Sequence, residues 1–155
     1  MIICAGRNET FPFADAIGVG LIESAINLTR ICLFNKPEYL LFVGSAGSYG
    51  NHQILDIVES KRASNIELGF LTGSAYTPLD NVLESENKFA RNDTIVNSSN
   101  YISTNKTLCK EFLDYGVGIE NMEFFSILSV AKQFEIPVAG IFVITNYTNE
   151  NAHED

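Results

Sequence analysis

The chain has 155 residues, about one domain by the prior of roughly 100 to 200 residues each, and 46% of them are hydrophobic, which suits one packed core. Ten Lys and Arg stand against nineteen Asp and Glu, a formal net charge of -9, so no basic footprint exists for a nucleic-acid backbone or an anionic membrane surface. Both are excluded as expected partners, and with only four arginines (Arg7, Arg30, Arg62 and Arg91) any anion site draws on a short list.

In chain order, Met1 to Ala5 is a short apolar run consistent with a buried strand, and Gly6 to Pro12 breaks it. From Ile17 the period changes: Leu21, Ala25, Leu28 and Cys32 form one stripe, which predicts an amphipathic helix ending near Asn35, before Pro37. Tyr39 to Val43 is a continuous apolar run, as expected of a parallel strand covered on both faces, and it leads into Gly44-Ser45-Ala46-Gly47, expected as a glycine-rich turn. Short strands are predicted over Ile54 to Glu59, Ile66 to Leu71 and Thr94 to Asn97, with a polar stretch between Pro78 and Asp93. A helix capped by Thr104 or Asn105 should run to Tyr115, followed by a strand over Val117 to Glu120 and a helix over Met122 to Phe134. Pro137 to Thr145 is a second continuous apolar strand, and Asn146 opens a polar segment resembling the start of another helix. The reading is one α/β domain over residues 1–155.

Three unpaired, widely spaced cysteines argue against a disulfide framework or a zinc site and suit a reducing cytoplasm. Six Asn-x-Ser/Thr sequons lack a preceding leader pattern and are read as accidental. In open α/β sheets ligands bind beyond the carboxyl ends of strands. That rule selects Gly6, Arg7 and Glu9 after the first strand, Gly44 to Gly47 after the second, Asn121 to Glu123 after the Val117 strand, and Asn146 after the last. Glycines at such a place let backbone N–H groups approach an oxyanion or a sugar, and Ser45 adds a donor. A carboxylate such as Glu120 or Glu123 can accept hydrogen bonds from both ribose hydroxyls, although glutamates in a first helical turn are also explained by the helix dipole. No Walker A lysine and no complete dinucleotide fingerprint occurs.

The order of these pieces resembles the purine nucleoside phosphorylase and methylthioadenosine/S-adenosylhomocysteine nucleosidase superfamily. Ile17-Gly18-Val19-Gly20 is similar to its G-I-G segment, Lys36-Pro37-Glu38 through Gly44-Ser45-Ala46-Gly47 to its K-P-D strand and G-S-A-G, and Leu55-Asp56-Ile57-Val58 to G-D-I-V. Asn121-Met122-Glu123 stands in the place of E-M-E, and Ile144-Thr145-Asn146 in that of I-S-D. The resemblance implies a three-layer fold with a central mixed, largely parallel twisted sheet flanked by helices. It implies Ser45, Gly47, Gly6 and Arg7 on the phosphate or nucleophile side, Met122 and Glu123 on ribose, and Tyr101, Ile102 and Asn146 on the base. Glu9 falls where nucleosidases activate water, and Asn146 where mammalian-type phosphorylases hold a 6-oxopurine.

The leading expectation is cleavage of a purine nucleoside by phosphorolysis, with inorganic phosphate as co-substrate, no other cofactor and no metal. Hydrolysis of the methylthioadenosine/S-adenosylhomocysteine type is the alternative, and a non-catalytic nucleoside-binding or assembly protein is a third. A homo-oligomer is expected. Departures from the pattern are Phe42, where hexameric phosphorylases carry arginine, Asn121 in place of the first glutamate, and a chain ending at Asp155 where relatives continue into a helix covering the base. The resemblance therefore implies a shortened member.

Overall fold

The structure is a computed structural model and describes residues 1–153. In chain order it contains β1 (Ile2–Cys4), β2 (Asp15–Ala16), α1 (Gly20–Phe34), β3 (Leu40–Ser48), β4 (Ile57–Ser60), β5 (Arg62–Ser64) and α2 (Leu68–Leu71). There follow β6 (Val82–Glu84), β7 (Ile95–Ser98), α3 (Lys106–Asp114), β8 (Val117–Asn121), α4 (Phe124–Phe134) and β9 (Val138–Tyr147). The strands form one mixed sheet in the order β2-β1-β3-β8-β7-β5-β6, with β9 also paired to β3 and β4 to β9. Pairs β1/β2, β1/β3, β3/β9, β5/β7 and β7/β8 are parallel, and β3/β8, β4/β9 and β5/β6 antiparallel. The expected largely parallel sheet between helical layers is present.

The core explains the layering. Ile95 and Val96 are neighbours on β7, so they point to opposite faces of the sheet. Val96 joins the cluster that includes Leu28 and Cys32 of α1 and Phe124, Ile127 and Leu128 of α4, whereas Ile95 joins Tyr49, Cys109 and Phe112, with Phe70 and Leu71 of α2 against them. At the centre of the larger cluster three fully buried rings meet: Phe124 stands edge-on to Phe142 at 5.1 Å and 84°, and Phe42 lies 5.7 Å from Phe142. Among the described residues no helix is long and apolar enough to cross a membrane.

The structure corrects several expectations. Gly44-Ser45-Ala46-Gly47 is no turn: β3 continues through it to Ser48, because β9 pairs with it along its whole length. Ile66 to Leu71 is not a strand; Glu67 precedes a single helical turn at Leu68–Leu71, whose Phe70 and Leu71 face the smaller cluster, an outcome that a short apolar run leaves open. The polar stretch from Pro78 to Asp93 contains β6, added antiparallel to β5. No helix begins at Asn146, since β9 runs on to Tyr147 and turns follow. α4 starts at Phe124 rather than Met122, because Asn121 accepts the first N–H groups.

β3 and β9 pair from Leu40↔Val138 to Ala46↔Ile144, then resume at Gly47↔Asn146, which leaves Thr145 as an extra residue. A bulge of this kind changes the face on which the following side chains lie. Gly140, between the rings, has no room for a methyl group: a Cβ there would lie 2.6 Å from Phe142 Cε2 and 2.7 Å from Phe124 Cε1. Gly140→Ala is expected to destabilise the protein by about 1–3 kcal/mol through overpacking, read as a lowered urea midpoint with an unchanged slope.

Candidate active site

Four strand ends, those of β1, β3, β8 and β9, and one loop build the site. Beyond β1 the chain turns sharply: Gly6 has φ 95° and Arg7 φ 58°, and the backbones of Gly6 and Glu9 bond each other, Glu9 N–H to Gly6 O at 3.0 Å and Gly6 N–H to Glu9 O at 3.3 Å. Glycine is required at the first of these positions by space as well as by φ, since a Cβ on Gly6 would meet the Ala16 Cβ at 2.9 Å. A positive φ at Arg7 is strained for a residue with a side chain and persists because the turn's own bonds hold it. The turn directs Glu9 back onto β3. Ser45 N–H donates to Glu9 Oε2 at 3.3 Å, and the Ser45 hydroxyl donates to Glu9 Oε1.

At the junction of β8 and α4, Asn121 does two things with one amide. Its Oδ1 accepts the Glu123 and Phe124 N–H groups at 2.8 and 2.7 Å, satisfying donors that the helix start leaves open. Its Nδ2 donates to Glu123 Oε2 at 2.9 Å and so fixes the carboxylate. Glu123 is only 4% exposed. Burial raises its pKa from 4.5 to about 7, the neighbouring Glu9 charge pushes the same way, and backbone groups of Gly20 and Met122 with the Asn121 amide oppose them.

The bulge at Thr145 sets the third side chain. Residues paired across strands share a face, so Asn146 lies with Gly47 and Ser45 instead of following Ile144 into the core. A Cβ on Gly47 would sit 3.0 Å from Asn146 Nδ2, a tight contact that would press the amide away from its present place. Asn146 Nδ2 donates to its neighbour's carbonyl, Tyr147 O, at 3.2 Å, and its Oδ1 accepts from Thr145 Oγ1 at 3.3 Å.

These groups surround one cavity of about 310 Å³, and all ten residues to which the resemblance gives a role line it: Gly6, Arg7 and Glu9, Ser45 and Gly47, Tyr101 and Ile102, Met122 and Glu123, and Asn146; Gly44, selected by its place after a strand, does not. Tyr101 is 84% exposed at its mouth. Arg7 differs from expectation: its side chain is 73% exposed and its Nη2 lies 3.7 Å from Glu23 Oε2, so its charge faces a carboxylate at the rim. Arg30, Arg62 and Arg91 are not among the lining residues, and Arg62 and Arg91 pair with Glu84, Glu59 and Asp93. Sequence reasoning took Asn121 as a departure from a pattern and missed its part in holding Glu123, although an asparagine just ahead of a helix is a recognisable cap signal. It also passed over Ser103 and Tyr49, which hold Glu120.

No curated protein matches the chain by sequence. Among solved structures, the chain is similar to an aspartate-to-asparagine mutant of the Helicobacter pylori nucleosidase MTAN with 5'-methylthioadenosine in the active site, at TM-score 0.81 and 16% identity over 99% of this chain and 87% of that one. Futalosine hydrolase of Helicobacter pylori gives TM-score 0.80 and 15% identity over 99% and 86%. The 5'-methylthioadenosine/S-adenosylhomocysteine nucleosidase of Neisseria meningitidis, in complex with methylthio-immucillin-A, gives 0.75 and 14% over 97% and 87%. Likeness at such identities establishes the fold. The sequence model of the phosphorylase superfamily matches residues 13–155, and with the sheet and the cavity described above it follows that the chain belongs to the phosphorylase superfamily.

Proposed function

We propose that the protein hydrolyses the N-glycosidic bond of a purine nucleoside, with water rather than phosphate as nucleophile. The observation that carries this reading is the Glu9–Ser45 contact: the serine hydroxyl and amide that would meet a phosphate are engaged by a carboxylate. A phosphate dianion there would face Glu9 and Glu123 together, with Arg7 turned to Glu23. A water molecule in the same place is favoured by both charges. The similar folds include proteins described as a hydrolase and as nucleosidases, which supports the same choice over the phosphorolysis anticipated from the sequence.

The chemistry follows from the side chains. Glu9 accepts a proton from water as its oxygen attacks C1' of the ribose, and the C1'–N9 bond breaks with its electron pair leaving on the purine. Glu123 accepts from the ribose hydroxyls, and with Glu9 it places negative charge beside a sugar that becomes cationic in the transition state. Asn146 hydrogen-bonds the departing base at N7 and cannot transfer a proton, so the base takes its proton from solvent. An amide at this place suits a 6-oxopurine, because its N–H donates to O6 while its carbonyl accepts from N7–H once solvent has protonated that nitrogen.

Base release from inosine, guanosine, adenosine and 5'-methylthioadenosine is expected to proceed equally with and without phosphate, and strict phosphate dependence would overturn the reading. Glu9→Gln is expected to lower kcat by about 10²–10⁴-fold, the range for loss of a general base. Asn146→Ala should lower kcat/KM by about tenfold or more and erase the preference between 6-oxo and 6-amino purines, measured by competition between inosine and adenosine.

Glu123 links site and stability. Its folded pKa is raised, so between pH 4.5 and about 7 the folded state holds a proton that the unfolded state has lost, and stability falls as pH rises through this window. Glu123→Gln removes that fall: its stability relative to the wild type should grow by about 3 kcal/mol between pH 4.5 and 7.5, checked by urea unfolding at both pH values. Ribose binding needs the ionised carboxylate, so the wild-type KM should rise as pH drops below about 7.

A further inference from the structure

The residues that reach the mouth of the cavity, Tyr101 and Ile102, sit on a segment between β7 and α3 with no helix or strand geometry of its own. A wall made from such a segment is useful only if something fixes it. At its start, Asn100 Oδ1 accepts the Leu21 N–H at 2.8 Å and ties the segment to the first turn of α1. At its end, Ser103 is held twice by one carboxylate: its N–H donates to Glu120 Oε1 at 2.9 Å and its hydroxyl to Glu120 Oε2 at 2.7 Å. Oε2 also accepts the Tyr49 hydroxyl at 2.8 Å, and the buried Tyr49 ring stacks on Phe112 at 4.3 Å and 8°. Glu120 itself is fixed in the middle of the sheet, where β8 pairs it with Gly47 on one side and Asn97 on the other.

We propose that Glu120 is the positioning residue of the base end of the site, acting through Ser103 to hold Tyr101 and Ile102 at the height a purine ring needs. The inference rests on the nucleoside reading given above and deepens it. Three donors converge on this carboxylate, and none comes from a residue assigned to the reaction. Hydrogen bonds to an ionised acceptor are about twice as strong as neutral ones, so the doubled contact with Ser103 is the firmest tie in the segment. Ordering the wall before the ligand arrives removes an entropic cost of binding. The effect therefore belongs in KM, while Glu9 and Glu123 remain where they were.

The test uses the full chain and two readouts. In ligand-free protein, Glu120→Ala should speed amide hydrogen exchange in residues 99–104 by about tenfold or more, leaving β3 and β9 protected. In turnover of the best nucleoside substrate, the same variant should raise KM by about tenfold with kcat within about threefold, and Glu120→Gln, which keeps an acceptor for the Ser103 N–H, should recover most of both. Combined with Tyr101→Ala, the Glu120→Ala penalty should largely vanish; additive penalties would mean that Glu120 touches the base itself and would overturn the proposal. Unchanged exchange in residues 99–104 would overturn it as well. Should Glu120→Ala not fold, Ser103→Ala with Tyr49→Phe removes two of the three donors and is judged by the same exchange readout. Exchange requires no catalysis, so wild-type protein that releases no base defeats the hydrolase reading and leaves this one to be decided separately.

Discussion

The parallel pairing of β3 with β9 is the constraint on which the rest of the structure depends. It holds two long strands together over nine positions, forces Gly44 to Gly47 into extended backbone, and delivers Ser45 and Asn146 to the same end of the sheet. Its single irregularity falls at that end. Had Thr145 been paired in register with Gly47, Asn146 would stand opposite Ser48 and share a face with Ile144, whose side chain is fully buried. A one-residue irregularity thus separates a strand that builds the core from one that builds a cavity wall.

The cavity is also an electrostatic compromise. Placing Glu123 in the interior beside Glu9 is unfavourable for both charges, and the fold offsets part of that cost with the Asn121 amide and the backbone groups of Gly20 and Met122. The same Asn121 that steadies the carboxylate also accepts the N–H groups of Glu123 and Phe124 at the start of α4, which couples the position of the helix to the charge. Stored repulsion between two carboxylates is released by any ligand that becomes positively charged between them. That is the physical link between an otherwise costly pair and the proposed glycosidic cleavage.

Much of this was legible in the sequence, and the rest was not for identifiable reasons. The apolar runs at Leu40 and Val138 read directly as parallel strands because burial on both faces leaves no polar alternation. Eight of the ten candidate residues converge on one cavity because they follow or end apolar runs whose place in a sheet is topologically fixed, and Tyr101 and Ile102, which only the family resemblance pointed to, join them there. What stayed hidden depended on pairing between distant segments. The glycines of β3 suggest a turn locally, and only the partner strand shows that they are there to admit Glu9 and Asn146 to the backbone. The short strands β2, β5 and β6 have too few residues to show a period. The bulge at Thr145 has no composition signal, and the exposed, Glu23-paired position of Arg7 follows from a strained turn that its residue type does not announce.

One detail of the bulge concerns the chain's freedom to vary. Among the described residues, Asn146 donates only to its neighbour's carbonyl and accepts only from the hydroxyl beside it in sequence, so it braces no distant part of them. Across the strand pair, a Cβ on Gly47 would press on Asn146 Nδ2 at 3.0 Å and on Thr148 Cγ2 at 3.3 Å. The two positions therefore differ in freedom: a side chain at position 47 has to displace Asn146 or Thr148, while Asn146 can exchange amide for carboxylate at nearly constant volume with little effect on folding. Under the proposed function, the hydrogen-bonding character offered to the base therefore changes by one substitution at position 146 while the strand pairing that places it stays as it is.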